Sequence, residues 1–177
     1  MRPGTALCSS SLLSVRVLMV GGGCRGLALA RELVADGHAV RAVTRREEGV
    51  AAIEAAGAEA WRGDPDVVGT LRYALDNVTL LLWLLGTARG TPEEVAALHG
   101  PRLRMMLERT VDTTVRGVVY EAAGTVPRDA LDTGVAELRR ARERDEIPFR
   151  VVDADPGDAG GWRRAARGAV HELLGAR

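Results

Sequence analysis

VRVLMVGGGCRGLALARELVADGHAVRAVTRR, residues 15–46, sets two apolar strand-length segments on either side of a glycine loop and a segment of helical period. The first strand, Val15 to Val20, is apolar except for Arg16 and runs directly into Gly21, Gly22 and Gly23. A helix is expected from near Arg25, with Leu27, Ala30, Leu33 and Val34 on one face. It should stop at Asp36 and Gly37, because glycine readily takes the left-handed conformation just past a helix C-terminus. Ala39 to Thr44 reads as the second strand. Gly21, Gly23 and Gly26 satisfy G-x-G-x-x-G in the strand, turn and helix context that gives the pattern its meaning. Gly21 allows the tight turn, Gly23 lets a pyrophosphate approach the backbone, and Gly26 lets the helix pack closely on the strand. The amides and dipole of the helix N-terminus then hold phosphate charge. Dinucleotide binding is the reading this supports. The competing one is a loop kept for its conformation above an empty cleft.

Outward from this unit, apolar strand-length runs keep alternating with helical segments, which argues for a parallel sheet covered on both faces. Glu47 to Ala56 is a second helix that ends at Gly57, and Ala58 to Arg62 a short third strand. Asp64 and Pro65 look like a cap followed by proline at the first helical position, opening a third helix that buries Val67, Val68, Leu71, Ala74, Leu75 and Val78. Thr79 to Leu85 is apolar on both sides, as a central parallel strand must be. Thr91, Pro92, Glu93 and Glu94 form a capping box, and the helix they start is interrupted by Gly100 and Pro101. The helix that follows should bury Leu103, Met106, Leu107 and Val111. Gly117 to Tyr120 is strand five, Leu131 to Arg144 a charged helix, and Pro148 to Val152 strand six. A last helix, capped by Asp158, carries the stripe Trp162, Ala165, Ala166, Ala169, Val170, Leu173 and Leu174. The expectation is an α/β protein with a Rossmann-like, doubly wound, parallel six-stranded sheet, forming one three-layer domain over residues 15–177. Residues 1–14, rich in Ser and lacking the apolar core of a signal peptide, read as a disordered leader.

Composition narrows the chemistry. All 24 basic residues are arginine and none is lysine. That excludes Schiff-base enzymes, phosphate loops built on GK[ST] and tyrosine–lysine proton relays. The 24 acidic residues balance the 24 basic ones, so no single-sign field draws in a phosphate backbone. With 3% aromatic residues there is also little to stack bases on, and nucleic acid is not an expected partner. Cys8 and Cys24 make neither a disulfide framework nor a zinc site, which fits a reducing, cytoplasmic setting. No apolar run approaches the roughly 20 residues that span a bilayer.

The end of strand two bears on cofactor choice. An NAD site normally offers a carboxylate there to the ribose 2'-hydroxyl, whereas this chain reads Val43, Thr44, Arg45, Arg46, with the first acid at Glu47. Two guanidinium groups suit a 2'-phosphate, so NADP is favoured and NAD is the alternative. Arg45 and Arg46 as ordinary solvated residues at a helix start is the competing reading.

With these residues in place, the sequence resembles the atypical and extended branch of the short-chain dehydrogenase/reductase superfamily, the NAD(P)-binding proteins similar to epimerases and dehydratases. The matching segments are VLMVGGGCRGLALARELVADGHAVRAVTRR, GAEAWRGDPDVVGTLRYALDNV, LLLWLLG and RGVVYEAAG, between Val17 and Gly124. The resemblance implies that Gly21, Gly23, Cys24, Arg25 and Gly26 line the pyrophosphate and that Thr44, Arg45 and Arg46 surround the adenosine ribose or its phosphate. It implies further that Asp64 lies beside the adenine, a role that competes with capping a helix, and that Gly86 sits near the nicotinamide-side ribose.

The departures from that family concern proton transfer. Ala122, Ala123 and Gly124 stand where a serine or threonine is expected, with Thr125 one place late. The two tyrosines, Tyr73 and Tyr120, are not where the family's tyrosine would be, and no lysine exists to assist one. Asp153, Ala154, Asp155, Pro156 and Gly157 replace the usual Arg-Pro-Gly after strand six. Glu121 is a candidate acid or base, or a structural residue, and Cys24 a candidate redox-sensitive thiol, or merely a small loop residue. His38, His99 and His171 suggest neither a triad nor a metal cluster. Two functions stay open. One is an NADP-dependent oxidoreductase or epimerase-like enzyme acting on a small molecule held against strands four to six. The other is a non-catalytic nucleotide-sensing or regulatory module. The apolar last helix and the open sheet edge allow a homodimer.

Overall fold

The computed structural model describes residues 14–175. The leader expected over residues 1–14 lies outside them apart from Ser14, whose hydroxyl donates to Gly37 O at 2.7 Å. The strands are β1 (Arg16–Gly21), β2 (Ala39–Thr44), β3 (Glu59–Arg62), β4 (Leu80–Leu84), β5 (Gly117–Glu121) and β6 (Phe149–Val152). The α-helices are α1 (Gly23–Ala35), α2 (Glu48–Ala55), α3 (Pro92–His99), α4 (Pro101–Thr110), α5 (Arg128–Asp145) and α6 (Ala159–Gly175). All six strands are parallel, in the order β3-β2-β1-β4-β5-β6, which is the Rossmann-like doubly wound arrangement.

Strand alternation sorts the core into two layers. From β1 and β4, Val17, Met19, Leu80 and Leu82 point to the face covered by α1, α2 and α6, where Leu29, Leu33, Ile53, Trp162 and Val170 meet them. Leu18, Val20, Leu81 and Trp83 point to the other face, against Leu71, Leu75, Leu103, Met106 and Leu138. Every residue of β4 is buried because helices lie on both its faces. The Thr91 capping box forms as the sequence implies, with Thr91 Oγ1 accepting from Glu94 N at 3.2 Å and Glu94 accepting from Thr91 N at 2.7 Å. No helix among the described residues is long and apolar enough to cross a membrane.

Four expectations need correction. The third helix is not an α-helix but two 3-10 turns, Val68–Leu71 and Tyr73–Leu75. Asp64 caps no helix, since its Oδ1 accepts from Asp66 N at 2.9 Å in a local turn. Thr70 closes the same turn, its Oγ1 accepting from Asp64 N at 2.8 Å and donating to Val67 O at 2.8 Å. Val68, Leu71, Ala74 and Leu75 are buried all the same, because spacing of about three residues fits a 3-10 turn as well as an α-helix. Val67 is 57% exposed instead of buried. Val111 is 49% exposed because α4 ends one residue earlier, at Thr110.

Candidate functional site

The strand order reverses between β1 and β4, and a crevice opens at the carboxyl ends of these strands and β2. Its volume is about 550 Å³, within the range of small-molecule sites. The floor is the glycine loop. Gly21 has φ +87°, and a Cβ there would lie 2.3 Å from Leu84 O, so no other residue fits against β4. A Cβ on Gly26 would lie 2.9 Å from Gly21 O, so the first turn of α1 sits directly on the strand end. Gly22, the N-cap of α1, offers no side chain, and the first turn carries no acid. The leading N–H groups of α1 therefore have neither a preceding helical carbonyl nor a side-chain acceptor, a positive end suited to an anion. Gly23 and Cys24, both exposed, line the crevice beside them.

The adenosine-side wall is the turn after β2. Thr44 Oγ1 accepts from Arg46 N at 3.2 Å and donates to Arg46 O at 3.0 Å, holding the turn tight. A Cβ on Gly49 would lie 2.2 Å from Thr44 Oγ1, so α2 starts in direct contact with that turn. Thr44, Arg45 and Arg46 all line the crevice. Arg45 is exposed and faces two carboxylates, Asp64 at 4.0 Å and Asp66 at 3.8 Å. Arg62 hydrogen-bonds Arg45 O at 3.2 Å and pairs with Glu47. Asp64 faces Arg45 and does not line the crevice, where its neighbour Pro65 does.

Arg25 and Gly86 lie elsewhere. Arg25 turns from the loop toward the ends of β4, β5 and β6, where it donates to Glu121 Oε1 at 3.1 Å, Thr87 Oγ1 at 3.2 Å and Pro156 O at 3.3 Å. Its guanidinium stacks 4.8 Å from the centre of the Trp162 ring. Glu121 is fully buried and also accepts from Trp162 Nε1 at 2.7 Å and from Gly86 N at 2.7 Å. Burial raises its pKa above the usual carboxylate range, against the lowering pull of the Gly86 amide, Arg25 and Trp162. Gly86 is buried under the loop after β5, where a Cβ would meet Ala123 O at 2.2 Å.

Neither tyrosine reaches the crevice. Tyr73 is 63% exposed on the segment after β3. Tyr120 points to the α5 side of the sheet, donating to Leu131 O at 3.1 Å with its oxygen 2.6 Å from His99 Nδ1. Burial pushes the Tyr120 phenol upward and the His99 imidazole down to about 4, so both stay neutral at pH 7. His99 Nε2 lies 3.2 Å from the carbonyl oxygen of Leu85, the crevice-wall residue just past β4. His38 lies just before β2 and His171 near Asp36, at the amino ends of the strands and away from the crevice. Among the described residues no group of three or more His, Cys, Asp or Glu is placed to hold a metal. The residues that sequence reasoning missed are Thr87 and Trp162. Trp162 carried only the signal of a helical core stripe, and its indole N–H partner is 41 residues away.

Comparison with known proteins supports the fold assignment. No protein-family model matches the chain, and no curated protein matches it in sequence. Solved structures do. BdcA from E. coli superposes with a TM-score of 0.70 over 90% of each chain at 17% identity. The UDP-glucose 4-epimerase of Thermotoga maritima, solved with UDP-glucose, gives 0.66 over 78% of this chain and 55% of that one, at 13% identity. The triphenylmethane reductase of Citrobacter sp., complexed with NADP(H), gives 0.60 over 78% and 48%, at 16% identity. This chain thus spans about half the length of the epimerase and the reductase. The chain shares the fold of these epimerase and reductase structures, at low sequence identity.

Proposed function

We propose that this protein binds NADP in the crevice between β1, β2 and β4, with NAD as the weaker ligand. The observation that carries the reading is the continuity of one cavity from the glycine loop to Arg45 and Arg46. Gly21, Gly23, Cys24 and Gly26 hold the pyrophosphate, which the leading amides of α1 receive. Thr44, Arg45 and Arg46 surround the 2'-phosphate, where a fork of N–H donors matches phosphate oxygens. Asp64 acts through Arg45, competing with the phosphate for that guanidinium. The hydride chemistry such a cofactor carries belongs to its nicotinamide, and the residues named here would bind its phosphates and adenosine ribose.

Among the described residues neither tyrosine lines the crevice, which favours a nucleotide-sensing or regulatory module over an oxidoreductase or epimerase. Ala122, Ala123 and Gly124 offer no hydroxyl after β5, and Tyr120 is turned to the other side of the sheet. Titration of the protein with NADPH, followed by nucleotide fluorescence, tests the binding itself. Saturable binding is expected, and none at millimolar nucleotide would end the proposal.

A further inference from the structure

The crevice has a definite end. It is walled by the glycine loop, by the turn after β2 and by Leu85, and none of its lining residues comes from the ends of β5 or β6. A dinucleotide extended across a doubly wound sheet needs the space above those ends for its second nucleoside. Here the chain's own groups fill it.

Arg25 crosses that space, held by Glu121, Thr87 and Pro156 from the ends of three different strands and stacked on Trp162. The loops after β4 and β5 also interlock. Val126 N donates to Gly86 O at 3.1 Å, and a Cβ on Gly124 would lie 1.9 Å from that same oxygen. Glu121, with no exposed surface, takes three donors and anchors the assembly. Removing Arg25 from its place would leave a buried carboxylate without its cation, a costly state.

Resting on the nucleotide-binding reading, we infer that the crevice reads only the adenosine 2'-phosphate 5'-diphosphate half of its ligand and leaves the nicotinamide end outside in solvent. Recognition is then complete at the second phosphate. The site does not distinguish oxidised from reduced nicotinamide, and it accepts adenosine nucleotides that share the 2'-phosphate and diphosphate whatever follows them. A nicotinamide seated over β4 and β5 would have to displace Arg25 and the Ala123–Gly124 turn.

Calorimetric titration of the unaltered chain with NADPH, NADP+ and 2'-phospho-ADP-ribose tests this. The three dissociation constants are expected to agree within about threefold, since the shared half supplies the contacts. NADPH or NADP+ binding about tenfold or more tighter than 2'-phospho-ADP-ribose would show that the nicotinamide is held and would overturn the inference while leaving the nucleotide-binding reading intact. Binding by none of the three would overturn that reading, and the inference with it.

Discussion

Arg25 and Glu121, 96 residues apart in sequence, form an ion pair at 3.1 Å in which the carboxylate has no exposed surface and the guanidinium side chain is 17% exposed. The pair joins the glycine loop to the end of β5, and through Trp162 and Gly86 it also engages α6 and the loop after β4. A carboxylate satisfied by three donors is an anchor and not a free base. Glu121→Ala leaves the Gly86 amide and the Trp162 indole without their acceptor and Arg25 without its carboxylate. The expected loss is about 3 kcal/mol, the scale for removing one partner of a buried pair. Urea denaturation measures it, and a loss under about 1 kcal/mol would mean that the pair is not the anchor described.

The glycine loop separates a stability effect from a binding effect. Gly21→Ala drives a Cβ to within 2.3 Å of Leu84 O at a positive φ and should cost several kcal/mol of stability, on the order of 3. Gly23 also has positive φ, at +52°, but a Cβ there meets nothing within 4 Å. Gly23→Ala should cost only about 1 kcal/mol of stability. It should nonetheless weaken NADPH about tenfold by crowding the pyrophosphate. Thermal unfolding and NADPH titration of both variants check the contrast.

Much of this was readable in the sequence. The run from Val15 to Arg46 declares strand, loop, helix and strand by periodicity and glycine placement alone, and Thr91 with Glu94 declares a helix start. Local signals of that kind end where tertiary contacts decide. The segment 64–78 carries spacing that suits α and 3-10 geometry alike, and the choice rests on Thr70 reaching back to Asp64. Arg25 sits inside the glycine motif, yet its direction is set by Glu121, Thr87 and Pro156, all at least 62 residues away. Glu121 reads from the sequence as an acid or base or a structural residue, and the choice rests on Arg25, Gly86 and Trp162, which only the assembled sheet brings to it.

Acid should weaken the fold in two stages. His99 ordinarily titrates near 6.5 and is held at about 4 in the folded protein, so the fold favours the neutral ring. A group depressed in this way adds stability above pH 6.5, and that contribution drains away as pH falls toward 4, amounting to about 3 kcal/mol at most. His38, depressed mainly by burial, acts in the same direction. Asp36 and Glu137, held below their ordinary values chiefly by Arg167 and Arg104, lose their contribution only below the ordinary carboxylate range. Glu121, raised by burial, works the other way and gains as pH falls. Denaturation curves between pH 7 and 4 should show the first stage, and His99→Gln should reduce its slope.

Tyr120→Phe removes a buried hydroxyl that serves Leu131 O and His99 Nδ1 on the side of the sheet away from the crevice. The expected cost is about 1 to 3 kcal/mol of stability, from polar groups left without a partner. NADPH affinity should not change. A large loss of affinity with intact folding would place Tyr120 at the nucleotide, contrary to its position here.

In the proposed mode of binding, Arg45 and Arg46 read a 2'-phosphate at the end of β2. Its most direct test is the ratio of NADH to NADPH dissociation constants, measured by fluorescence titration for the unaltered chain and for Arg45→Ala combined with Arg46→Ala. A preference for NADPH of about tenfold or more is expected, collapsing toward equality in the double variant mostly through weaker NADPH binding. Equal affinities in the unaltered chain, or equal losses for both nucleotides in the double variant, would contradict it.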